Sequence, residues 1–323
     1  MQGDPDFAPF LIVGFPRSGT TLLQVMLDRH SELCLPPETY LFHCLPRLWK
    51  HGRTRVRAHY VDRVLGFDFM PRLGLDAGDV RDRAEAFPAG WPGAMRASLE
   101  SYAAARGKRR VGEKTATHLV ELPHVLAAFP QATILWLVRD GRDVAVALRG
   151  RKAFHDDLAR HALNWARAIR MGLELERRYA ASVHRVRFED LIRAPEATLT
   201  RVDDALGVGF EPAQLELSRG TDAVPAKERD LKSAALGPLD PSKIGTHRTL
   251  ASPAEQATME AIMGPELAAL GYPLAGTSGA LPAWLRVPGS LALAKQWRPY
   301  EAGRWWLARA RQGTAALRRS PRA

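Results

Sequence analysis

Between residues 10 and 27 the chain reads FLIVGFPRSGTTLLQVML: an apolar run, a turn dense in small and hydroxylated residues, and a second apolar run. Gly14 and Gly19 stand at the spacing of a G-x-x-x-x-G phosphate loop, with Thr21 at its Ser/Thr position. Backbone amides in such a loop, followed by a helix N-terminus, cradle a doubly charged phosphate. Thr20 takes the place where a nucleotide triphosphatase carries the lysine that spans the β and γ phosphates. The cation of this loop is Arg17 instead. No Asp suited to Mg2+ follows a strand: Asp140 comes after ILWLVR, but Arg139 beside it would repel a metal. The pattern predicts an anionic ligand met by arginine and amides rather than through a metal ion. A glycine-containing strand-to-helix turn with no ligand is the bland alternative.

The surrounding elements must hold that loop in place. FLIVGF is a buried-strand run, and TTLLQVMLDRH continues it as a helix. The region 49–108 is Arg-rich and broken by Pro and Gly, with helical stretches such as AMRASLESYAAARGK. VGEKTATHLVELPHVLAAF reads as a turn and helix, ATILWLVRD as a strong strand, and DGRDVAVALRGR as the helix after it. Residues 155–180 are helical in pattern, HRVRFEDL is a short strand running into a turn, and APEATLTRVDDALGV is a helix. Residues 218–249 are polar and read as loops, and ASPAEQATMEAIMGPELAALGY holds a helix with a serine-proline start. Short apolar strands alternating with helices predict an α/β fold, a P-loop-type parallel sheet flanked by helices on both faces. Ligands of such sheets bind at the carboxyl ends of the strands, and FPRSGTT and RDGRD both sit at such ends.

Composition narrows the class. With 323 residues, 46% hydrophobic and 25% charged, the chain has the make-up of an ordinary globular protein. It has no 18-residue apolar run and no basic-then-apolar leader pattern, so the expected setting is cytoplasmic, with the inner membrane surface as a peripheral site. Two cysteines, Cys34 and Cys44, read as reduced thiols, and no Cys/His cluster has zinc spacing. The net charge of +11 is uneven: residues 277–323 hold nine Arg or Lys against one acid, Glu301. The basic character belongs mostly to the tail, so no nucleic-acid partner is expected of the body. The expected organisation is a loose end over 1–8, a single domain over 9–275 with 49–108 as a helical acceptor-side segment, and a basic Trp-rich tail over 276–323.

Three stretches together resemble a known family. PRSGTT after an apolar strand is similar to the 5′-phosphosulfate loop of sulfotransferases that use 3′-phosphoadenylyl sulfate (PAPS). LVRDGRDVAVAL resembles their 3′-phosphate-binding strand and helix, and VRFEDLIRAPEATLTRVDDALGV their Tyr-Glu-Asp-Leu segment with its following helix. Order and spacing match over roughly residues 10–275, and the wording is closer to the tyrosylprotein and Golgi-type branch than to the cytosolic phenol branch.

The resemblance implies roles. Arg17, Ser18, Gly19, Thr20 and Thr21 would hold the 5′-phosphate, with Arg17 also meeting charge on the bridging oxygen as sulfate leaves. Arg139 would clamp the 3′-phosphate. The family's usual serine eight residues on is Ala147 here, with Arg142 the candidate to make up for it. Phe188 stands where relatives place an adenine-stacking tyrosine; a core phenylalanine is an equal reading. Glu38, in LCLPPETYLF, takes the place of the tyrosylprotein branch's general base, and a carboxylate near Arg17 and Lys114 stays ionised. A glutamate capping a helix start is the alternative, and His43 and His118 are secondary candidates for the base. VGEKTATHL resembles the Glu-Lys-(Ser/Thr) segment of heparan-type enzymes, which brings Lys114 to the sulfuryl group. SKIGTHRTL occupies the place of the late basic loop, with Lys243, Gly245, His247 and Arg248 as nucleotide-binding candidates.

The expected reaction is in-line sulfuryl transfer from PAPS, without a metal, to a small-molecule, sugar or lipid hydroxyl. The product would be 3′,5′-adenosine bisphosphate. Residues 281–323 carry four of the eight tryptophans and are a candidate for peripheral membrane or subunit contact, a homodimer included. The rival readings are a P-loop kinase or nucleotide hydrolase using ATP, and a non-catalytic nucleotide- or membrane-binding protein.

Overall fold

The computed structural model describes residues 6–44, 61–62, 64–66, 73–87, 90–150, 157–217, 223–224 and 232–275. The tail over 276–323 and much of the acceptor-side segment lie outside them.

Five strands build the sheet: β1 (Phe10–Gly14), β2 (Leu33–Cys34), β3 (Arg110–Lys114), β4 (Thr133–Val138) and β5 (Val183–Arg187). Their order is β2-β3-β1-β4-β5, and every pairing is parallel. β1 therefore lies at the centre, with Ile12 beside Lys114 of β3 on one side and Leu135 of β4 on the other. Central parallel strands are covered on both faces, which is why FLIVG and TILWLV are apolar almost throughout.

Alternation along the strands divides the core. Phe10 and Ile12 of β1, with Leu135 and Leu137 of β4, face α1 (Thr20–Asp28) and a later helix pair. On the opposite face Trp136 is fully buried, and its ring lies where a side chain on Gly172 would have to go.

Among the described residues the remaining helices are α2 (Ala77–Ala84), α3 (Trp91–Ala104), α4 (Leu122–Ala128), α5 (Gly141–Leu148), α6 (Leu158–Arg178), α7 (Phe188–Arg193), α8 (Pro195–Leu206), α9 (His247–Leu250) and α10 (Pro253–Ala269). Gly172 belongs to α6, so α6 covers the Trp136 face while α1, α7 and α8 cover the other. α10 begins with a capping box between Ser252 and Glu255, as its serine-proline start suggests.

Two expectations change. VGEK is strand β3, not a turn: with only Val111 and Gly112 apolar it lacks a strand's signal, yet it pairs with both β1 and β2. FEDLIR is helix α7 rather than a turn, since β5 ends at Arg187 and the chain winds at once. The polar stretch 218–249 holds, among the described residues, 3-10 turns at Ser233–Ala235 and Pro241–Lys243 and the start of α9.

Away from the strand tips, α8 buries Asp203 completely, with Gln214 Nε2 donating to its Oδ1 at 3.2 Å. Burial pushes this carboxyl up to about 6 against the Gln214 hydrogen bond and the attraction of His30. A raised folded value means that the folded state holds a proton the unfolded chain has released between pH ~4 and ~6, so this group's stability contribution falls as pH rises through that window. Each tenfold difference in proton affinity between the folded and unfolded chain is worth about 1.4 kcal/mol, so Asp203→Asn is expected to gain about 2–3 kcal/mol on the parent between pH 4 and 7. Urea unfolding at both pH values checks it; a gap that does not change with pH contradicts it.

Candidate active site

Phe15 to Gly19 form the turn between β1 and α1, with Ser18 N donating to the Phe15 carbonyl at 3.1 Å. Two positive φ angles shape it, 70° at Arg17 and 96° at Gly19. The arginine bears strain of about 1–3 kcal/mol that glycine would avoid. Gly19 needs to be glycine twice over: its φ is left-handed, and a Cβ would sit 2.5 Å from the Phe188 ring. Ser18 is buried, and its hydroxyl has no hydrogen-bond partner among the described residues. A buried unpaired hydroxyl costs about 1–3 kcal/mol, a cost that a bound anion would relieve.

Arg139, at the tip of β4, ties the loops together. One guanidinium nitrogen donates to the Arg17 carbonyl at 3.0 Å and the other to the Lys243 carbonyl at 2.6 Å. The guanidinium lies 4.4 Å from the centre of the Phe188 ring. Phe188 is buried in the core cluster and also lines the site cavity, so it serves as core and as platform for Arg139.

Carboxylates behind the tips set these positions. Asp143 is fully buried and accepts from Gly245 N at 2.7 Å, His247 N at 2.9 Å and His247 Nδ1 at 2.6 Å, which anchors the late loop. Burial pushes Asp143 up, but hydrogen bonds from His247 and Gly245 outweigh it and hold it below its ordinary value. Glu189 of α7 accepts from Asp140 N at 3.0 Å and from Tyr272 at 2.9 Å, locking β5 to the turn after β4.

Arg17, Thr20, Thr21, Arg139, Phe188 and Lys243 line one cavity of about 470 Å3, together with Ala147 and Lys232. Ser18, Gly245, His247 and Arg248 lie outside its wall. Ala147 faces this cavity, so the hydroxyl that relatives carry there is missing from the wall itself. Arg142 does not make up for it: its guanidinium is buried between Asp140 and Glu260, so its donors are spent on carboxylates.

The second half of the site comes from β3. Glu38 Oε2 lies 3.4 Å from Lys114 Nζ and 3.6 Å from Lys232 Nζ, and the Glu38 side chain keeps 18% of its surface exposed. Burial alone would raise this carboxyl, but Lys114 and Lys232 outweigh it and hold it below its ordinary value. Lys114 is no surface lysine; it is 1% exposed, and burial pulls its ammonium down against the opposing pull of Glu38.

The turn carrying Glu38 hangs from Glu113. Thr39 and Thr115 hydroxyls donate to Glu113 Oε1 at 2.6 and 2.7 Å, and His118 Nδ1 donates to Oε2 at 2.8 Å. Thr115 also accepts from Tyr40 N at 3.1 Å, bracing a residue with φ of 53°. Burial pushes Glu113 up, yet His118 and the two hydroxyls bring it to about 2. His118 Nε2 accepts from Phe42 N, so both ring nitrogens are engaged and His118 is unsuited to be the base. The His43 side chain lies outside the described residues.

Sequence reasoning missed Asp143, Glu189, Glu113 and Lys232. Asp143, Glu189 and Glu113 sit inside the quoted motifs, in RDGRD, FEDL and GEK; Lys232 had no signal in its polar surroundings.

Comparison with known proteins follows the same lines. A model of the Sulfotransferase family matches residues 9–212. Protein-tyrosine sulfotransferase A of Caenorhabditis elegans is 25% identical over 213 residues, 63% of this chain and 51% of that one. Protein-tyrosine sulfotransferase 2 of Gallus gallus is 28% identical over 222 residues, 63% and 52% of the two chains. Nodulation protein NoeE of Sinorhizobium fredii is 27% identical over 138 residues, 43% and 30%. The chain thus spans about half the length of these curated relatives, or less. Among solved structures, the sulfotransferase domain of the Synechococcus PCC 7002 olefin synthase superimposes with a TM-score of 0.62 at 23% identity, covering 84% of this chain and 97% of that one, a likeness of fold.

Glu113→Ala is expected to strand three buried donors and destabilise the protein by about 3–5 kcal/mol. Chemical denaturation measures it; a loss under about 1 kcal/mol contradicts the role given to Glu113.

Proposed function

The chain belongs to the sulfotransferase family, and from that premise we propose that it transfers a sulfuryl group from PAPS to a hydroxyl-bearing acceptor, with Glu38 as general base. The single observation that carries this reading is the Glu38 carboxylate, held by two lysine ammoniums, one of which, Lys232, lines the cavity shared by Arg17 and Arg139.

The residues present fit the donor nucleotide. The unpartnered Ser18 hydroxyl, the Gly19 turn and Arg17 supply a small anion cradle at the β1 tip. Arg139 supplies a second cation at the neighbouring tip, close enough to touch the first loop. When bound, PAPS supplies the sulfuryl group, with 3′,5′-adenosine bisphosphate as its leaving group. Arg17 opposes the charge that grows on the bridging oxygen, a contact stronger in the transition state than before it. The Glu38 carboxylate takes the proton of the acceptor hydroxyl, and the two lysines keep it ionised beforehand.

A base must be in its charged form, and attraction to Lys114 and Lys232 puts the Glu38 titration below the usual carboxylate value of about 4.3. The acid limb of kcat/KM set by this group should therefore lie below that value. Lys114→Met removes one attraction, leaves burial less opposed, and should move the limb to higher pH.

Radiolabelled sulfate transfer from PAPS onto pools of hydroxyl compounds, sugars, lipids and peptides tests the activity. Glu38→Gln should lower transfer by about 10²–10⁴-fold while calorimetry shows bisphosphate affinity kept within a few-fold. Full transfer by Glu38→Gln would remove the carboxylate from the mechanism.

A further inference from the structure

Two lysines reach Glu38, and the structure separates their surroundings. Lys114 comes from the end of β3, is 1% exposed and takes no part in the wall of the cavity that Arg17 and Arg139 line. Lys232 comes from the segment before the 3-10 turn Ser233–Ala235, is 14% exposed, and lines that same cavity. Its ammonium stands 3.6 Å from Glu38 Oε2. Lys232 is therefore the described side chain that belongs both to the wall holding the anion cradle and to the carboxylate's ion pair.

We propose that Lys232 is the catalytic cation that meets the sulfuryl group in transfer, and that Lys114 is a positioning residue that holds Glu38 from behind. The inference rests on the sulfotransferase reading above and corrects the division of labour expected from the sequence, in which Lys114 approached the sulfuryl group.

In an in-line transfer the bond from acceptor oxygen to sulfur forms as the bond from sulfur to the bridging phosphate oxygen breaks. The leaving electron pair stays on that oxygen, and the acceptor proton goes to Glu38. The moving group must therefore pass between the Glu38 side and the Arg17 side. A cation serves it best from a place that reaches both, and Lys232, in the wall that Arg17 lines and 3.6 Å from Glu38 Oε2, has that position. Lys114, behind the carboxylate, acts on the proton acceptor alone. Strong desolvation makes such a contact count for more than it would in water.

Calorimetry with PAPS and with 3′,5′-adenosine bisphosphate tests this without any acceptor. At pH 8 the 5′ end of either nucleotide carries roughly two negative charges, so the ratio of their affinities reads where the charge lies rather than how much there is. The parent protein is expected to favour PAPS by about tenfold. Lys232→Met should bring the ratio close to one with bisphosphate affinity unchanged within about twofold, and Lys232→Arg should retain most of the preference. Lys114→Met should keep the parent ratio while shifting the pH profile. Slow release of sulfate from PAPS to water should fall about 10²-fold in Lys232→Met. A parent-like ratio and release rate in Lys232→Met, or loss of the preference in Lys114→Met instead, would overturn the proposal while leaving the function intact. A parent protein that binds neither nucleotide would overturn the function and this inference with it.

Discussion

One guanidinium joins the parts of this site. Arg139 donates to the backbone of the β1 loop and to the backbone of the late loop, with the Phe188 ring beneath it. It can reach both because β1 and β4 are parallel neighbours whose carboxyl ends finish side by side, with Gly14 in register with Leu137. β3 runs along the opposite side of β1, so Lys114 and the turn bearing Glu38 arrive at the same edge. The glycine turn with its two arginines on one flank of the central strand and the Glu38–lysine cluster on the other follow from this strand order.

Burying charge around these tips is costly unless each group is paired and hydrogen-bonded. The structure meets that condition with carboxylates used as struts. Asp143 gathers four donors from the late loop, Glu189 joins the Asp140 amide to Tyr272, and Glu113 gathers two hydroxyls and an imidazole. None of them lines the cavity. Glu38 differs from them: two lysine ammoniums hold it rather than backbone amides or hydroxyls, and its side chain stays partly exposed. Of the two positive-φ residues, Arg17 accepts from Arg139 at its carbonyl, and Tyr40 donates to Thr115, which itself hangs on Glu113.

Much of this was legible in the amino-acid order. The apolar runs FLIVG and TILWLV, each closed by a turn rich in Gly and Arg, announced two neighbouring parallel strands with loops at their tips. Glu38, Lys114 and Arg17 could be picked out by type and place. What stayed hidden depended on tertiary context. VGEK carries too little apolar signal to read as a strand, and its charged end is buried only because the Glu38 turn packs over it. Arg142 has the sequence profile of a phosphate ligand, yet Glu260, far along the chain, claims it. Lys232 acquires meaning only through a contact with a residue nearly two hundred positions earlier.

The claim on which this account turns is that both strand tips serve one nucleotide carrying a phosphate at each end. Isothermal titration of the protein with 3′,5′-adenosine bisphosphate, 5′-AMP, 3′-AMP and ATP with Mg2+ tests it directly. The account predicts that the bisphosphate binds at least tenfold more tightly than either monophosphate and more tightly than Mg-ATP, since Arg17 and Arg139 then each meet a phosphate. Equal affinity for the bisphosphate and 5′-AMP, or a preference for Mg-ATP, would contradict it.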